Sequence, residues 1–122
     1  MRHVLVIDDN EDMRDLIQLV LERAGYSVTL APDGEAGLRA QRARPADVVI
    51  TDIFMPNQDG LETIAALRRD YPAVKVVAMS GGGSKVKGEG TLLTAREIGA
   101  HFILLKPFDN DELLQAVQKL QQ

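Results

Sequence analysis

Short apolar runs separated by helical stripes set the strongest limit on what this chain can fold into. Five such runs recur: Val4-Leu5-Val6-Ile7, Val28 with Leu30, Val48-Val49-Ile50, Val74 with Val76-Val77-Ala78-Met79, and Phe102-Ile103-Leu104-Leu105. The clearest stripe between them is Met13, Leu16, Ile17, Val20, Leu21 and Ala24, spaced for one face of a helix. Asn10 is predicted to cap its start, and Gly25 stands where a helix stops. Near the C-terminus, Asp109 and Glu112 have capping-box spacing, and Leu113, Leu114, Val117 and Leu120 follow. Weaker helical patterns begin near Pro32-Asp33-Gly34 (with Ala36 and Leu38), after Asn57-Gln58-Asp59-Gly60 (with Leu61, Ile64 and Ala65), and around Leu92, Leu93, Ala95 and Ile98.

Strand alternating with helix along the whole chain predicts an α/β protein with a mostly parallel sheet covered on both faces. Four runs are nearly continuous in apolar character, as doubly covered strands are. In the second, Ser27 and Thr29 alternate with Val28 and Leu30, which predicts a half-covered edge strand. The 122 residues suffice for one domain, taken as 1–122, with a core that needs no staples. A net charge of −4 argues against nucleic acid as a direct partner, since phosphate binding needs a basic face. The absence of cysteine excludes disulfides, thiolate zinc and a thiol nucleophile. No signal-peptide pattern opens the chain, and no apolar stretch approaches the ~18 residues of a membrane span. No membrane association is expected, and the cytoplasm is the expected location.

In an open sheet of this kind, ligands gather beyond the carboxyl ends of the strands. Strand 1 ends in Asp8-Asp9, strand 3 in Asp52, strand 4 in Ser80 and strand 5 in Lys106-Pro107. Carboxylates this close repel by roughly 4 kcal/mol per pair at 4 Å with an effective dielectric near 20. Either one stays protonated or a cation sits among them. All-oxygen ligation suits a hard divalent ion, Mg²⁺ above all. A carboxylate facing such an ion, a lysine and a hydroxyl is placed to attack a phosphoryl group. Taken singly, each residue has a plainer explanation. Asp8-Asp9 suits a solvated helix start, Asp52 a turn or cap, Ser80 a strand end and Lys106 the surface. Their joint placement at strand ends is what favours chemistry. His3 and His101 fall at the opposite rim and are assigned to structure or surface.

The segments "VLVIDDNED", "VVITDIFMPNQDG", "VVAMSG" and "FILLKPFD", in this order and spacing, resemble the receiver domain of bacterial two-component response regulators. The resemblance implies a flavodoxin-like, doubly wound, five-stranded parallel sheet of order 2-1-3-4-5 with helices on both faces. It implies that Asp52 accepts a phosphoryl group from a sensor histidine kinase, a phosphotransfer protein or a small acyl phosphate. Mg²⁺ would be held by Asp9 directly, by Asp8 through water, by Asp52 and by the backbone carbonyl of Phe54. Ser80 would contact the phosphoryl group, and Lys106 would pair with Asp52 or its phosphate. Lys106-Pro107 would be a cis bond. The output would be a changed surface on the fourth predicted helix, the fifth strand and the last helix, for a downstream protein partner or a second copy. No effector segment follows within the 122 residues, so the chain reads as a stand-alone receiver or as part of a longer regulator.

Several positions bear on alternatives. A haloacid-dehalogenase-type phosphohydrolase also uses an aspartyl phosphate, Mg²⁺ and a lysine, but needs an acid two residues past its nucleophile. That position is Phe54 here, which argues for a switch rather than a turnover enzyme. A third reading, an interaction domain that is never phosphorylated, leaves the acidic pocket unexplained. The hypothesis for bulky Phe54 is that it limits water access to the acyl phosphate; an unchanged dephosphorylation rate in Phe54→Ala would overturn it. Where the family has an aromatic switch residue this chain has Ile103, with Phe102 on the other face by strand alternation. The run "SGGGSKVKGEG" has no Gly-Lys-Ser/Thr step, so it is not a nucleotide P-loop; it reads as a mobile connection.

Overall fold

The computed structural model describes residues 2–53, 60–80 and 99–120. Five strands, β1 (His3–Ile7), β2 (Ser27–Ala31), β3 (Val48–Asp52), β4 (Lys75–Ser80) and β5 (Phe102–Leu105), form one sheet. All neighbours are parallel, and the spatial order is β2-β1-β3-β4-β5. Helices α1 (Glu11–Arg23), α2 (Gly34–Ala43), α3 (Gly60–Asp70) and a C-terminal helix (Asn110–Leu120) cover it. This is the flavodoxin-like architecture expected from the resemblance. The helical pattern around Leu92, Leu93, Ala95 and Ile98, the glycine-rich run beyond Ser80 and Phe54 to Asp59 lie outside the described residues.

The period-2 alternation of the central strands divides the core in two. Leu5, Ile7, Val49, Val76 and Ala78 face Ile64 and Leu67 of α3. Val4, Val6, Val48, Ile50, Val77 and Met79 face Ile17, Val20 and Leu21 of α1 and Leu113, Ala116 and Val117 of the C-terminal helix. Each such large side chain contributes about 1.5–3 kcal/mol by leaving water. Ile103 packs with the first group and Phe102 with the second, so the two do point to opposite faces.

The caps form as the sequence dictates. Asn10 Oδ1 accepts from the Met13 N–H at 3.0 Å, and Asp33 Oδ1 accepts from the Ala36 N–H at 2.8 Å. Before the C-terminal helix, the Glu112 N–H donates to Asp109 Oδ1 at 2.8 Å, and the Asp109 N–H donates to Glu112 Oε1 at 3.3 Å. Gly25 ends α1 with φ of 97°, a conformation open to glycine at little cost.

Three packing details depart from the sequence reading. Leu16 and Ala24 of the α1 stripe are exposed, because the sheet covers only the sector around Ile17, Val20 and Leu21. In α3, Ala65 is exposed, and Thr63, Ala66 and Leu67 complete the buried face with Ile64. β2 and β5 are the two edges, as the expected order requires, but β5 is only partly covered despite its continuous apolar run, and Leu105 remains 58% exposed.

Candidate functional site

The parallel register aligns the carboxyl ends of the strands along one rim. Ile7 pairs with Ala31 and Thr51, Asp52 with Met79, and Ser80 with Leu105. The residue after each pairing therefore leaves the sheet at the same height. Asp8 follows β1, Asp52 closes β3, Ser80 closes β4 and Lys106 follows β5. Asp8 is fully buried, while Asp52 and Ser80 are buried with 6% and 1% of their surface exposed.

Lys106 bridges two of the acids. Its Nζ lies 2.9 Å from Asp8 Oδ2 and 2.9 Å from Asp52 Oδ2. The Lys106 N–H donates to the Ser80 carbonyl at 2.8 Å, which ties the β5 exit to the end of β4. Lys106-Pro107 is cis, as expected. Burial pulls the Lys106 pKa down, but the hydrogen bonds it donates to Asp52 and Asp8 and their charges outweigh it, and the net shift is upward. The ammonium is thus charged throughout the neutral range.

Asp8 is fixed further. Its Oδ1 accepts from the Asn10 N–H at 2.9 Å, and its carbonyl accepts from Arg14 Nη1 at 2.8 Å. Asp9 is exposed beside it. Asp8, Asp9 and Asp52 each offer one carboxylate oxygen within 4.8 Å of the others. Three carboxylates crowd this rim, and one ammonium bonds two of them. The clustered acids and their all-oxygen donor set fit a hard divalent cation.

Gly60 makes the close approach behind Asp52 possible. Its N–H donates to the Ile53 carbonyl at 2.9 Å, and a Cβ there would stand 2.5 Å from Ile53 Cα and collide with the Asp52 carbonyl. The structure thus unites Asp8, Asp9, Asp52 and Lys106 and places Ser80 on the same rim. Phe54 lies outside the described residues. Sequence reasoning missed Arg14 and Gly60. The signal for Arg14 was its place in the second turn of α1, able to reach back over the helix start. His3 and His101 are structural, as expected. His3 Nδ1 lies 3.1 Å from the Pro45 carbonyl and Nε2 2.6 Å from Thr29 Oγ1. His101 Nδ1 accepts from the Val76 N–H at 3.1 Å.

A parallel sheet with a lysine-bridged acidic cluster beyond its carboxyl ends defines a class of α/β proteins with an aspartate-centred site. The family model described as "Response regulator receiver domain" matches residues 4–118, and the chain belongs to that family. As a receiver domain it acts as a signalling switch rather than a turnover enzyme. It is 34% identical over 116 residues to the transcriptional regulatory protein CseB of Streptomyces avermitilis, covering 95% of this chain and 47% of CseB. It is 34% identical to the autoinducer sensor kinase/phosphatase CqsS of Vibrio cholerae, covering 95% of this chain and 17% of CqsS. The chain therefore spans about half or less of the length of these relatives. Among solved structures, the receiver domain of NtrX from Brucella abortus superposes with a TM-score of 0.89 at 30% identity, covering 96% of each chain. The chemotaxis response regulator CheY4 of Vibrio cholerae superposes at 0.87 with 30% identity, covering 98% of each. Among the described residues, no helix is long and apolar enough to cross a membrane.

Proposed function

We propose that Asp52 is the phosphoacceptor of a two-component switch and that Asp8, Asp9 and Asp52, with the Phe54 carbonyl, hold Mg²⁺. The observation that carries this reading is the acidic cluster: Asp8, Asp9 and Asp52 offer oxygens within 4.8 Å of one another, Lys106 bonds Asp8 and Asp52, and Asp9 is exposed beside them. When bound, Mg²⁺ supplies charge neutralisation to the oxygens of the incoming phosphoryl group. An Asp52 carboxylate oxygen attacks the phosphorus of a phosphohistidine or a small acyl phosphate. The new O–P bond forms as the bond to the donor breaks, and that electron pair leaves with the donor. Lys106, already within hydrogen-bond reach of Asp52, offsets the added negative charge. Ser80, at the end of the neighbouring strand, donates its hydroxyl to a phosphoryl oxygen.

The added charge of about −1.5 to −2 then biases a second arrangement of the domain. The output surface is the fourth predicted helix, β5 and the C-terminal helix, where Leu105 is exposed. A downstream protein or a second copy binds there, and a kinase that draws on ATP places the reaction in the cytoplasm. Incubation with acetyl phosphate and Mg²⁺ tests the assignment. Intact-mass measurement should show one added phosphoryl group, absent in Asp52→Asn and after chelation. A phosphoryl group that persists in Asp52→Asn would overturn it.

A further inference from the structure

Asp8 is held at four points. Its N–H donates to the Ala31 carbonyl at 3.1 Å, Asn10 and Lys106 each hold one carboxylate oxygen, and Arg14 Nη1 holds its carbonyl at 2.8 Å. The Arg14 contact acts on the backbone from within α1. The Asp8 carbonyl and the Asp9 N–H belong to one planar peptide unit, so fixing the oxygen fixes the direction in which Asp9 leaves the chain. Among the described residues no hydrogen bond or ion pair orients the Asp9 carboxylate itself, so its aim depends on that backbone.

We propose that Arg14 is a positioning residue for the cation site, acting through the Asp8–Asp9 peptide. The inference rests on the reading that the acidic cluster holds Mg²⁺. A charge-assisted bond to a carbonyl is stronger than a neutral one, and the guanidinium spans the gap that a shorter side chain cannot. The sign of the effect separates this role from plain electrostatics. As a bare positive charge near the cluster, Arg14 would oppose a divalent cation, and its removal would tighten binding. As a positioning group, its removal loosens binding.

The test uses the full chain with Mg²⁺ alone as the probe, read by titration calorimetry and by the backbone amide shifts of Asp9 and Asn10. Arg14→Met, which keeps the stem and the helix propensity, should raise the dissociation constant roughly tenfold, as loss of an outer-shell partner does. Arg14→Ala should do the same, and Arg14→Lys should recover part of the loss. In acetyl phosphate labelling, the half-saturating Mg²⁺ concentration should rise while the rate at saturating Mg²⁺ stays near wild type. Unchanged or tighter Mg²⁺ binding in Arg14→Met or Arg14→Ala overturns the role of Arg14. If instead the wild type shows no Mg²⁺ binding that Asp9→Asn removes, the cation reading fails and takes this assignment with it.

Discussion

Lys106 Nζ lies 2.9 Å from Asp52 Oδ2, although 54 residues separate the two in the chain. The same nitrogen holds Asp8, whose side chain is fully buried. A single ammonium therefore compensates two acids drawn from two other strand ends. Removing one partner of a buried ion pair leaves uncompensated charge, at a cost of about 3–5 kcal/mol. Lys106 is 17% exposed, so the lower end of that range applies. Lys106→Met should lose about 3 kcal/mol of unfolding free energy in metal-free urea titrations, with part restored by Mg²⁺. An unchanged midpoint would show that the bridge is not structural.

Mg²⁺ should stabilise the wild type, because a ligand bound only to the folded state adds about 2.7 kcal/mol at 100 times its dissociation constant. Asp9→Asn should abolish that gain without lowering metal-free stability, since Asp9 makes no ion pair among the described residues and adds to the repulsion. Thermal unfolding with Mg²⁺ and with chelator checks both halves. Equal Mg²⁺ stabilisation of wild type and variant would place the cation elsewhere.

Gly60→Ala pushes a methyl group into the backbone at Asp52 and Ile53. Overpacking of this kind costs about 1–3 kcal/mol. The variant should also slow labelling of Asp52, because the strand end that aims its carboxylate must shift. Gly25→Ala, strained at φ of 97° but with open space around it, should lose stability and keep the labelling rate. Labelling kinetics of the two variants, compared at matched fraction folded, separate the effects. Equal rates would remove any special role for the approach of α3.

Burial lowers the His101 pKa, and the charges of Arg68 and Lys75 lower it further. Its Nδ1 accepts the Val76 N–H, which a protonated nitrogen cannot do. The unfolded chain therefore binds a proton at higher pH than the folded one. Just below the ordinary histidine value of about 6.5, stability should rise with pH and fall on acidification. His101→Asn keeps an acceptor and removes the titration. Its urea midpoint should depend less on pH than that of wild type between about pH 5 and 7. Parallel curves for the two proteins would count against this.

The residues that were legible in the sequence are those governed by local rules. Asn10 and the Asp109/Glu112 pair cap helices because short side chains reach backbone N–H groups a few residues on, wherever the helix lies. Strand alternation separated Ile103 from Phe102 for the same reason. The site acids and Lys106 were legible because parallel strands deliver their ends to one rim. Leu16, Ala24 and Ala65 were misplaced because a helical stripe does not say how wide the covering surface is.

The alternation of strands and helices and the identity of the converging residues follow from apolar periodicity and loop chemistry, which are written into the chain locally, whereas the strand order was expected from the resemblance. Three things needed the folded molecule: that one Lys106 nitrogen serves both Asp8 and Asp52, that Arg14 reaches back to the Asp8 carbonyl, and that Gly60 leaves room behind Asp52. Each is a distance between atoms far apart along the chain or across a helix start. Such distances are set by how the layers pack and carry no mark in the linear pattern.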